Sequence, residues 1–218
     1  MSKTVLVIGA TGATGKHFIK HSLEKGFITR VIVRDPSKIP EIDRTNPNLQ
    51  IVKGSFTESQ VLEDALQDGK VSYVVVMAGD PKQKTPFMEP FIKSLVSVMK
   101  KYNTKRILYQ AGAFSCKPGE SVSLFGTILL NTVALGVGIK NQILDNDQVI
   151  KYLASEKDIE WIVTRPGMIV EKPSKGRLVL NPKSPAQMGV TFTDLALFNL
   201  EAVQDEKLLY TCDFPNYS

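Results

Sequence analysis

Residues 4–15 read TVLVIGATGATG and decide the fold of this chain. Their first five residues form a short apolar run, which predicts a strand buried on both of its faces. Three glycines follow at a G-x-x-G-x-x-G spacing, at Gly9, Gly12 and Gly15, and a helical pattern begins at the last of them. A buried strand, a glycine-rich turn and a helix in this order predict a binding turn for the pyrophosphate of a dinucleotide.

Each glycine of this turn has its own expected task. The first permits the tight turn, the second lets the backbone approach the pyrophosphate, and the third lets helix and strand pack closely. The helix N-terminus offers free N–H groups and the positive end of its dipole to the phosphates. We therefore predict cofactor contacts along the whole turn, from Gly9, Thr11, Gly12, Ala13, Thr14 and Gly15. A phosphate-loop nucleotidase is excluded, because Gly15-Lys16 is followed by His17 where that loop needs Ser or Thr.

The rest of the chain alternates between apolar runs and helical patterns. The predicted strands are Thr4–Ile8, Thr29–Val33, Leu49–Val52, Val71–Met77, Arg106–Tyr109 and Trp161–Thr164, with a last extended piece at Lys207–Tyr210. The predicted helices are Gly15–Glu24, Glu58–Leu66, Phe87–Tyr102, Ile143–Leu153 and Asp194–Val203. This alternation predicts an α/β fold, a doubly wound parallel sheet with helices on both faces. We expect residues 1–218 to form a single NAD(P)-binding domain whose C-terminal part, from about residue 111, shapes the substrate site.

Composition limits the other functions that the chain can have. Of its 218 residues, 43% are hydrophobic and 22% are charged, which is typical of a globular protein. The net charge of +5 is scattered without interleaved aromatic residues, so we expect no nucleic-acid partner. Two histidines and two cysteines are too few for a dedicated metal site, so we expect no metal. The chain runs from Met1 straight into a strand without a signal peptide, and its cysteine usage suits a reducing compartment, so we expect a cytoplasmic protein.

The longest apolar stretch is residues 122–139, which contain three glycines and one asparagine. It is barely as long as the ~20 apolar residues that cross a bilayer, and we expect no membrane span. Three interpretations stay open: a lid over an apolar substrate, a dimer or membrane-surface patch, and plain core. We favour the lid, because the stretch lies between the fifth strand and the following helix. The oligomeric state is expected to be a monomer or a homodimer.

The end of the second strand predicts the type of cofactor. An acidic residue there favours a free ribose 2′-hydroxyl, and an arginine favours a 2′-phosphate. Arg34 comes first after the strand and Lys38 adds positive charge, so we predict NADP(H), with NAD(H) as the less favoured alternative. Asp35 argues against this choice unless it acts as a turn residue before Pro36, a common role for aspartate.

Several runs along the chain together resemble the atypical short-chain dehydrogenases/reductases. These runs are VLVIGATGATG, VIVRDPSKIP, VVVMAG and RILYQAGAF. Asp145-Asn146-Asp147 at the opening of a helix, WIVTRPG at residues 161–167 and TDLA at residues 193–196 are similar to the NAD(P)H-binding, NmrA-like branch that includes biliverdin and flavin reductases. The resemblance implies a Rossmann-type sheet in the order 3-2-1-4-5-6 and an NADP(H) preference through Arg34.

The resemblance also implies which residues surround the nicotinamide. They follow the fourth, fifth and sixth strands, at Ala78, Gly79, Ala111, Gly112, Ala113, Phe114, Pro166, Gly167 and Met168. Classical members of the family carry a Tyr-x-x-x-Lys pair, and none of the six tyrosines here has a lysine four residues later. Gly112 and Met168 stand where biliverdin-reductase-like members carry a serine and a histidine.

The family's usual proton donors are therefore absent from this chain. Ser115 and Tyr109 are the nearest hydroxyls, and Ser115 is the candidate proton donor. Hydride transfer needs only a positioned nicotinamide and an acceptor, and flavins or quinones can take their proton from water. The sequence thus predicts an NADPH-dependent oxidoreductase acting on a small apolar substrate. The alternative is a non-catalytic NAD(P)-binding redox sensor or regulator.

Overall fold

The computed structural model describes residues 2–79, 85–117, 119, 140–186 and 188–218. The strands are β1 (Thr4–Ile8), β2 (Ile28–Val33), β3 (Leu49–Lys53), β4 (Val71–Val76), β5 (Arg106–Gln110), β6 (Glu160–Thr164), β7 (Ile169–Val170), β8 (Leu178–Asn181), β9 (Val190–Thr191) and β10 (Cys212–Tyr217). The helices are α1 (Ala13–Glu24), α2 (Glu41–Arg44), α3 (Ser59–Leu66), α4 (Met88–Lys101), α5 (Lys140–Ser155) and α6 (Phe192–Ala202). Single 3₁₀ turns lie at Pro36–Lys38 and Glu206–Leu208.

The main sheet has the order β3-β2-β1-β4-β5-β6-β10-β8 within the described ranges. Strands β1 to β6 pair in parallel, so the predicted order 3-2-1-4-5-6 and the Rossmann-type fold are confirmed. Strand β10 extends the sheet in parallel from β6, and β8 pairs antiparallel with β10. Strands β7 and β9 form a separate parallel pair. Because β1 to β6 all run the same way, the loops that follow them meet at one carboxyl edge.

Strand β1 lies between two apolar layers. Leu6 and Ile8 pack into the layer formed with α3, α4 and α5, while Val5 and Val7 pack into the layer formed with α1 and α6. All four side chains are fully buried. Successive side chains of a strand point to opposite faces, so a strand covered by helices on both faces needs an uninterrupted apolar run.

The prediction for the C-terminus was wrong. Lys207–Tyr210 was expected to be extended, whereas the structure has a 3₁₀ turn at Glu206–Leu208 and begins the strand at Cys212. The carboxylate of Asp205 accepts a hydrogen bond from the Lys207 backbone N–H at 2.9 Å and so starts the turn. Elements α2, β7, β8 and β9 were not predicted from the sequence. Each is only two to four residues long, which is too short to show a period.

Two expectations concern the membrane and the long apolar stretch. Among the described residues, no helix is both long and apolar enough to cross a bilayer. Residues 122–139, for which a lid, a surface patch or core was expected, lie outside the described residues. The cytoplasmic location and the monomeric or homodimeric state stay predictions.

Candidate functional site

The glycine-rich turn joins β1 to α1 at the carboxyl edge of the sheet. Gly9 has a φ of +91°, and a Cβ placed on it would lie 2.6 Å from the backbone nitrogen of Ala78. A Cβ on Gly15 would lie 2.2 Å from the carbonyl oxygen of Gly9. Both contacts are with backbone atoms, which cannot rotate away as a side chain can. The turn therefore requires glycine at these two positions for its own shape.

Gly12 is the exposed residue that precedes α1, and the turn does not require glycine there for its shape. Its φ is −70°, an ordinary value for any residue, and an added Cβ would come no closer than 3.3 Å to the Gly9 carbonyl oxygen. No side chain caps the N-terminus of α1, and the first turn contains no acidic residue. The first N–H groups of α1 are thus left for an anionic ligand, and a glycine at this point lets that ligand come close.

The loops after β5 and β6 are joined at the same edge. The backbone N–H of Ala111 donates to the Thr164 carbonyl at 2.9 Å, and that of Ala113 donates to the Pro166 carbonyl at 2.9 Å. A Cβ on Gly112 would meet no atom within 4 Å, so the structure leaves open space beside this residue. The predicted nicotinamide residues of the two loops are therefore neighbours.

Gly167 and Met168 continue this edge after Pro166. A Cβ on Gly167 would lie 3.1 Å from the Pro185 ring, and the Met168 carbonyl accepts a hydrogen bond from the Val190 N–H at 2.9 Å. The Met168 side chain itself is 62% exposed. The loop after β6 is thus held by its backbone while its methionine side chain faces solvent.

The loop after β4 meets a polar side chain from a helix that is distant in sequence. Ala78 lies against Gly9, as the Cβ distance given above indicates, and Gly79 follows it. The amide nitrogen of Gln142 lies 3.0 Å from the position that a Cβ on Gly79 would take. Gln142 belongs to α5, so a polar side chain of that helix reaches the predicted cofactor edge. No motif in the sequence marked it.

Positive side chains gather at the end of β2. Arg34 is exposed there. The Asp35 carboxylate accepts hydrogen bonds from the Ser37 N–H at 3.0 Å and the Ser37 hydroxyl at 2.7 Å, and these bonds lower the pKa of Asp35. Lys38 and Lys53 lie near enough to lower this pKa further. Asp35 is thus engaged in its own turn. Lys53 was missed because the third strand was predicted to end one residue before it.

The two hydroxyls considered as proton donors are both buried. Ser115 is 2% exposed, and its hydroxyl has no hydrogen-bond partner among the described residues. The Tyr109 hydroxyl donates to the Asn146 side-chain oxygen at 2.6 Å, and burial raises the pKa of Tyr109. Neither hydroxyl is exposed to solvent. Ser115 as the proton donor stays a prediction.

Substituting Tyr109 with phenylalanine tests this placement of Tyr109. We expect the free energy of unfolding to fall by about 1–3 kcal/mol, because the buried Asn146 oxygen loses its donor. Cofactor affinity should not change. Denaturant unfolding and a cofactor titration measure the two effects, with the exposed Tyr210 changed to phenylalanine as the control. A loss of turnover in Tyr109→Phe at unchanged stability would instead assign the hydroxyl a catalytic role.

A carboxylate from another helix caps α4. The Asp145 side chain accepts hydrogen bonds from the backbone N–H groups of Phe87 at 2.7 Å, Met88 at 2.8 Å and Glu89 at 3.0 Å. Asp145 was expected to open a helix, whereas α5 begins at Lys140 and contains it. The sequence signal for this contact was indirect, since Phe87 cannot cap α4 with its own side chain.

Comparison with known proteins agrees with this architecture. The model of a family described as NAD(P)H-binding matches residues 9–206. An uncharacterised chloroplastic protein of Arabidopsis thaliana is 28% identical over 219 residues, covering 94% of this chain and 74% of that protein. Dihydroflavonol 4-reductase of Callistephus chinensis is 26% identical over 123 residues, which are 50% of this chain and only 34% of that enzyme.

Solved structures show the same fold at low sequence identity. A short-chain dehydrogenase/reductase of Veillonella parvula in complex with NADP has a TM-score of 0.78 and 17% identity, with 100% of this chain and 95% of that chain covered. An anaerobillin reductase of Escherichia coli O157:H7 has a TM-score of 0.76 and 11% identity, with 98% and 97% covered. From the match over residues 9–206, the chain belongs to the family described as NAD(P)H-binding, and its fold is the one seen in short-chain dehydrogenases/reductases.

Proposed function

We propose that this protein is an NADPH-dependent reductase that transfers hydride to a small apolar acceptor such as a flavin or a quinone. One observation carries the proposal. The glycine-rich turn, the positive cluster at the end of β2 and the loops after β4, β5 and β6 all lie along one edge of the sheet. A dinucleotide bound along this edge would have its phosphates at the turn and its nicotinamide at the loops after β5 and β6.

The phosphate half of the site supports NADPH over NADH. The turn would hold the pyrophosphate through the backbone at Gly12 and the free N–H groups of α1. Arg34, with Lys38 and Lys53 nearby, would hold the ribose 2′-phosphate through charge-assisted hydrogen bonds. Asp35, whose carboxylate would favour NADH, accepts hydrogen bonds from Ser37. NAD(H) is therefore the less favoured cofactor.

The acceptor half supports an apolar substrate. The residues that would surround the nicotinamide are small or apolar: Ala78, Gly79, Ala111, Gly112, Pro166, Gly167 and Met168. Phe114 and Met168 expose large apolar side chains in the loops after β5 and β6, a feature of sites that bind apolar partners. Flavins and quinones fit this surface and need no protein acid, since water can protonate them. The reductases among the related proteins favour the same class of reaction.

A second candidate function is a redox sensor that binds the cofactor without consuming it. The observation that favours it is the burial of both nearby hydroxyls, Ser115 and Tyr109. An acceptor that needs an enzyme acid for its proton would then not be reduced. The two candidates differ in turnover and share the cofactor site.

Calorimetric titration followed by a turnover assay tests both candidates. We expect tight binding of NADPH and weak binding of NADH to the purified protein. NADPH oxidation is then followed by absorbance with a free flavin and with a short-chain quinone. Turnover with either acceptor supports the reductase. Tight NADPH binding without turnover favours the sensor, and binding of neither nucleotide would overturn both candidates.

A further inference from the structure

The loop that follows β5, residues 111–116, is held at several points, and we call it the β5 loop. Its first half continues the hydrogen bonding between β5 and β6. The N–H groups of Ala111 and Ala113 donate to the carbonyls of Thr164 and Pro166, each at 2.9 Å. Backbone bonding of this kind follows from the strand pairing and needs no particular side chain.

Two charged side chains hold the second half of the β5 loop. Nη1 of Arg165 donates to the Ser115 carbonyl at 2.6 Å. Oδ1 of Asp147 accepts from the Cys116 N–H at 2.7 Å. These side chains come from different elements, since Arg165 directly follows β6 and Asp147 belongs to α5. The β5 loop is therefore tied both to the next strand and to the helix above it.

Arg165 is buried, which is uncommon for an arginine. It is 2% exposed, and its guanidinium carbon lies 4.1 Å from the centre of the Phe214 ring. Removing a guanidinium from water is costly, and a buried charge is poor evidence for a purely stabilising role. Burial raises the pKa of Asp147, and the positive charge of Arg165 acts against that rise. The two charges thus lie close enough to influence each other while each binds the β5 loop.

We propose that Arg165 and Asp147 are positioning residues that hold the β5 loop at the distance and angle that hydride transfer requires. This inference rests on the proposed reductase function, because the β5 loop carries Gly112 and Phe114 to the predicted nicotinamide. Neither charged side chain is proposed to contact the cofactor or the acceptor. Both act through the backbone at Ser115 and Cys116.

Loss of the contact that Arg165 or Asp147 makes with the β5 loop should change the rate of turnover far more than cofactor affinity. A displacement of about 1 Å at reacting atoms can cost about a hundredfold in rate. In the proposed function, the affinity for NADPH depends mainly on the turn after β1 and on Arg34 after β2. Strands β1 and β2 lie on one side of the point where the strand order reverses, and β5 and β6 lie on the other. A merely structural role would instead lower stability and leave the turnover of the folded protein unchanged.

Asp147→Ala and Asp147→Asn form the matched test. Asparagine keeps an oxygen that can accept from the Cys116 N–H, and alanine does not. We expect kcat for Asp147→Ala to fall about tenfold to hundredfold with an unchanged Kd for NADPH, and the asparagine variant to recover most of the loss. Asp205→Ala is the control, since it also removes one carboxylate–backbone bond, at the opposite edge of the sheet. Its kcat should equal that of the wild type.

The outcomes distinguish a failure of the positioning role from a failure of the proposed reductase function. If the wild type reduces an acceptor and both Asp147 variants match its kcat, the positioning role is wrong and the reductase stands. If the wild type binds NADPH and reduces no acceptor, the reductase proposal fails and the positioning role fails with it. Arg165→Lys gives a second reading: a lysine amine can still donate to Ser115, so this variant should retain more turnover than Arg165→Met. Equal turnover of these two folded variants would also contradict the proposal.

Discussion

Substituting Gly12 with valine is expected to abolish the binding of both NADPH and NADH in a protein that still folds. The backbone angles of Gly12 are accessible to valine, and the nearest atom to an added Cβ is 3.3 Å away. The new side chain would occupy the space of the pyrophosphate. Each charge-assisted hydrogen bond lost contributes about 1.5–3 kcal/mol. The loss of two such bonds weakens affinity by at least about a hundredfold, which calorimetric titration with each nucleotide measures.

Gly15→Ala is the informative companion to Gly12→Val. Its Cβ would lie 2.2 Å from the Gly9 carbonyl oxygen, so the turn itself must move. We expect a loss of stability of at least about 1–3 kcal/mol in thermal unfolding, whereas Gly12→Val should unfold near the wild-type temperature. Normal nucleotide binding by a folded Gly12→Val protein would contradict the assignment of the turn to the pyrophosphate.

Substituting Arg34 with alanine should weaken NADPH binding by about tenfold to a hundredfold and leave NADH binding almost unchanged. The reason is that the guanidinium would contact the 2′-phosphate, which only NADPH carries. Lys53→Ala should have a smaller effect of the same kind, since a lysine meets a phosphate as a point charge. Parallel titrations with both nucleotides measure the ratio of affinities.

The control for Arg34 is Arg177→Ala, an exposed arginine just before β8 at the far end of the sheet. It removes the same charge from the protein without touching the end of β2, so the ratio of NADPH to NADH affinity should not change. An equal loss of both nucleotides in Arg34→Ala would contradict a 2′-phosphate contact. An equal effect of Arg177→Ala would assign the preference to net charge alone.

Most of the sheet could be predicted because its signals are local. The run at Thr4–Ile8 is apolar throughout since both faces of β1 are buried, and the helical patterns between the strands require crossovers. Together they predict a parallel sheet, and the resemblance adds its order. Strands β7, β8 and β9 were missed because they are only two to four residues long. Strand β10 is longer and was missed for another reason. Cys212–Tyr217 contains two polar residues and a proline, so its composition alone does not indicate a strand.

One half of the candidate site could be predicted from the sequence, and the other half could not. Its phosphate half lies within two short segments, the glycine turn and the residues after β2, whose roles follow from glycine spacing and charge. The predicted nicotinamide half depends on contacts between residues that are distant in sequence. Asp145 caps a helix that begins 57 residues earlier in the chain, at Met88, and Arg165 reaches Ser115 across 50 residues. No periodicity or residue spacing in the sequence indicates such a contact.

The sequence by itself determined the doubly wound sheet, the position of the glycine turn and the positive charge after β2. The sheet follows from the spacing of apolar residues, and the turn follows from glycines at positions where the backbone leaves no room for a side chain. The charge is read directly from the residue types. The bond from Ser37 to Asp35 is local, and the turn role of Asp35 before Pro36 was already one of the sequence interpretations. Only the tertiary structure decided that Lys53 lies near Asp35 and that Arg165 and Asp147 bind the β5 loop. The physical reason is that a side chain's partner depends on which strands and helices pack side by side, and that choice is made by the whole core.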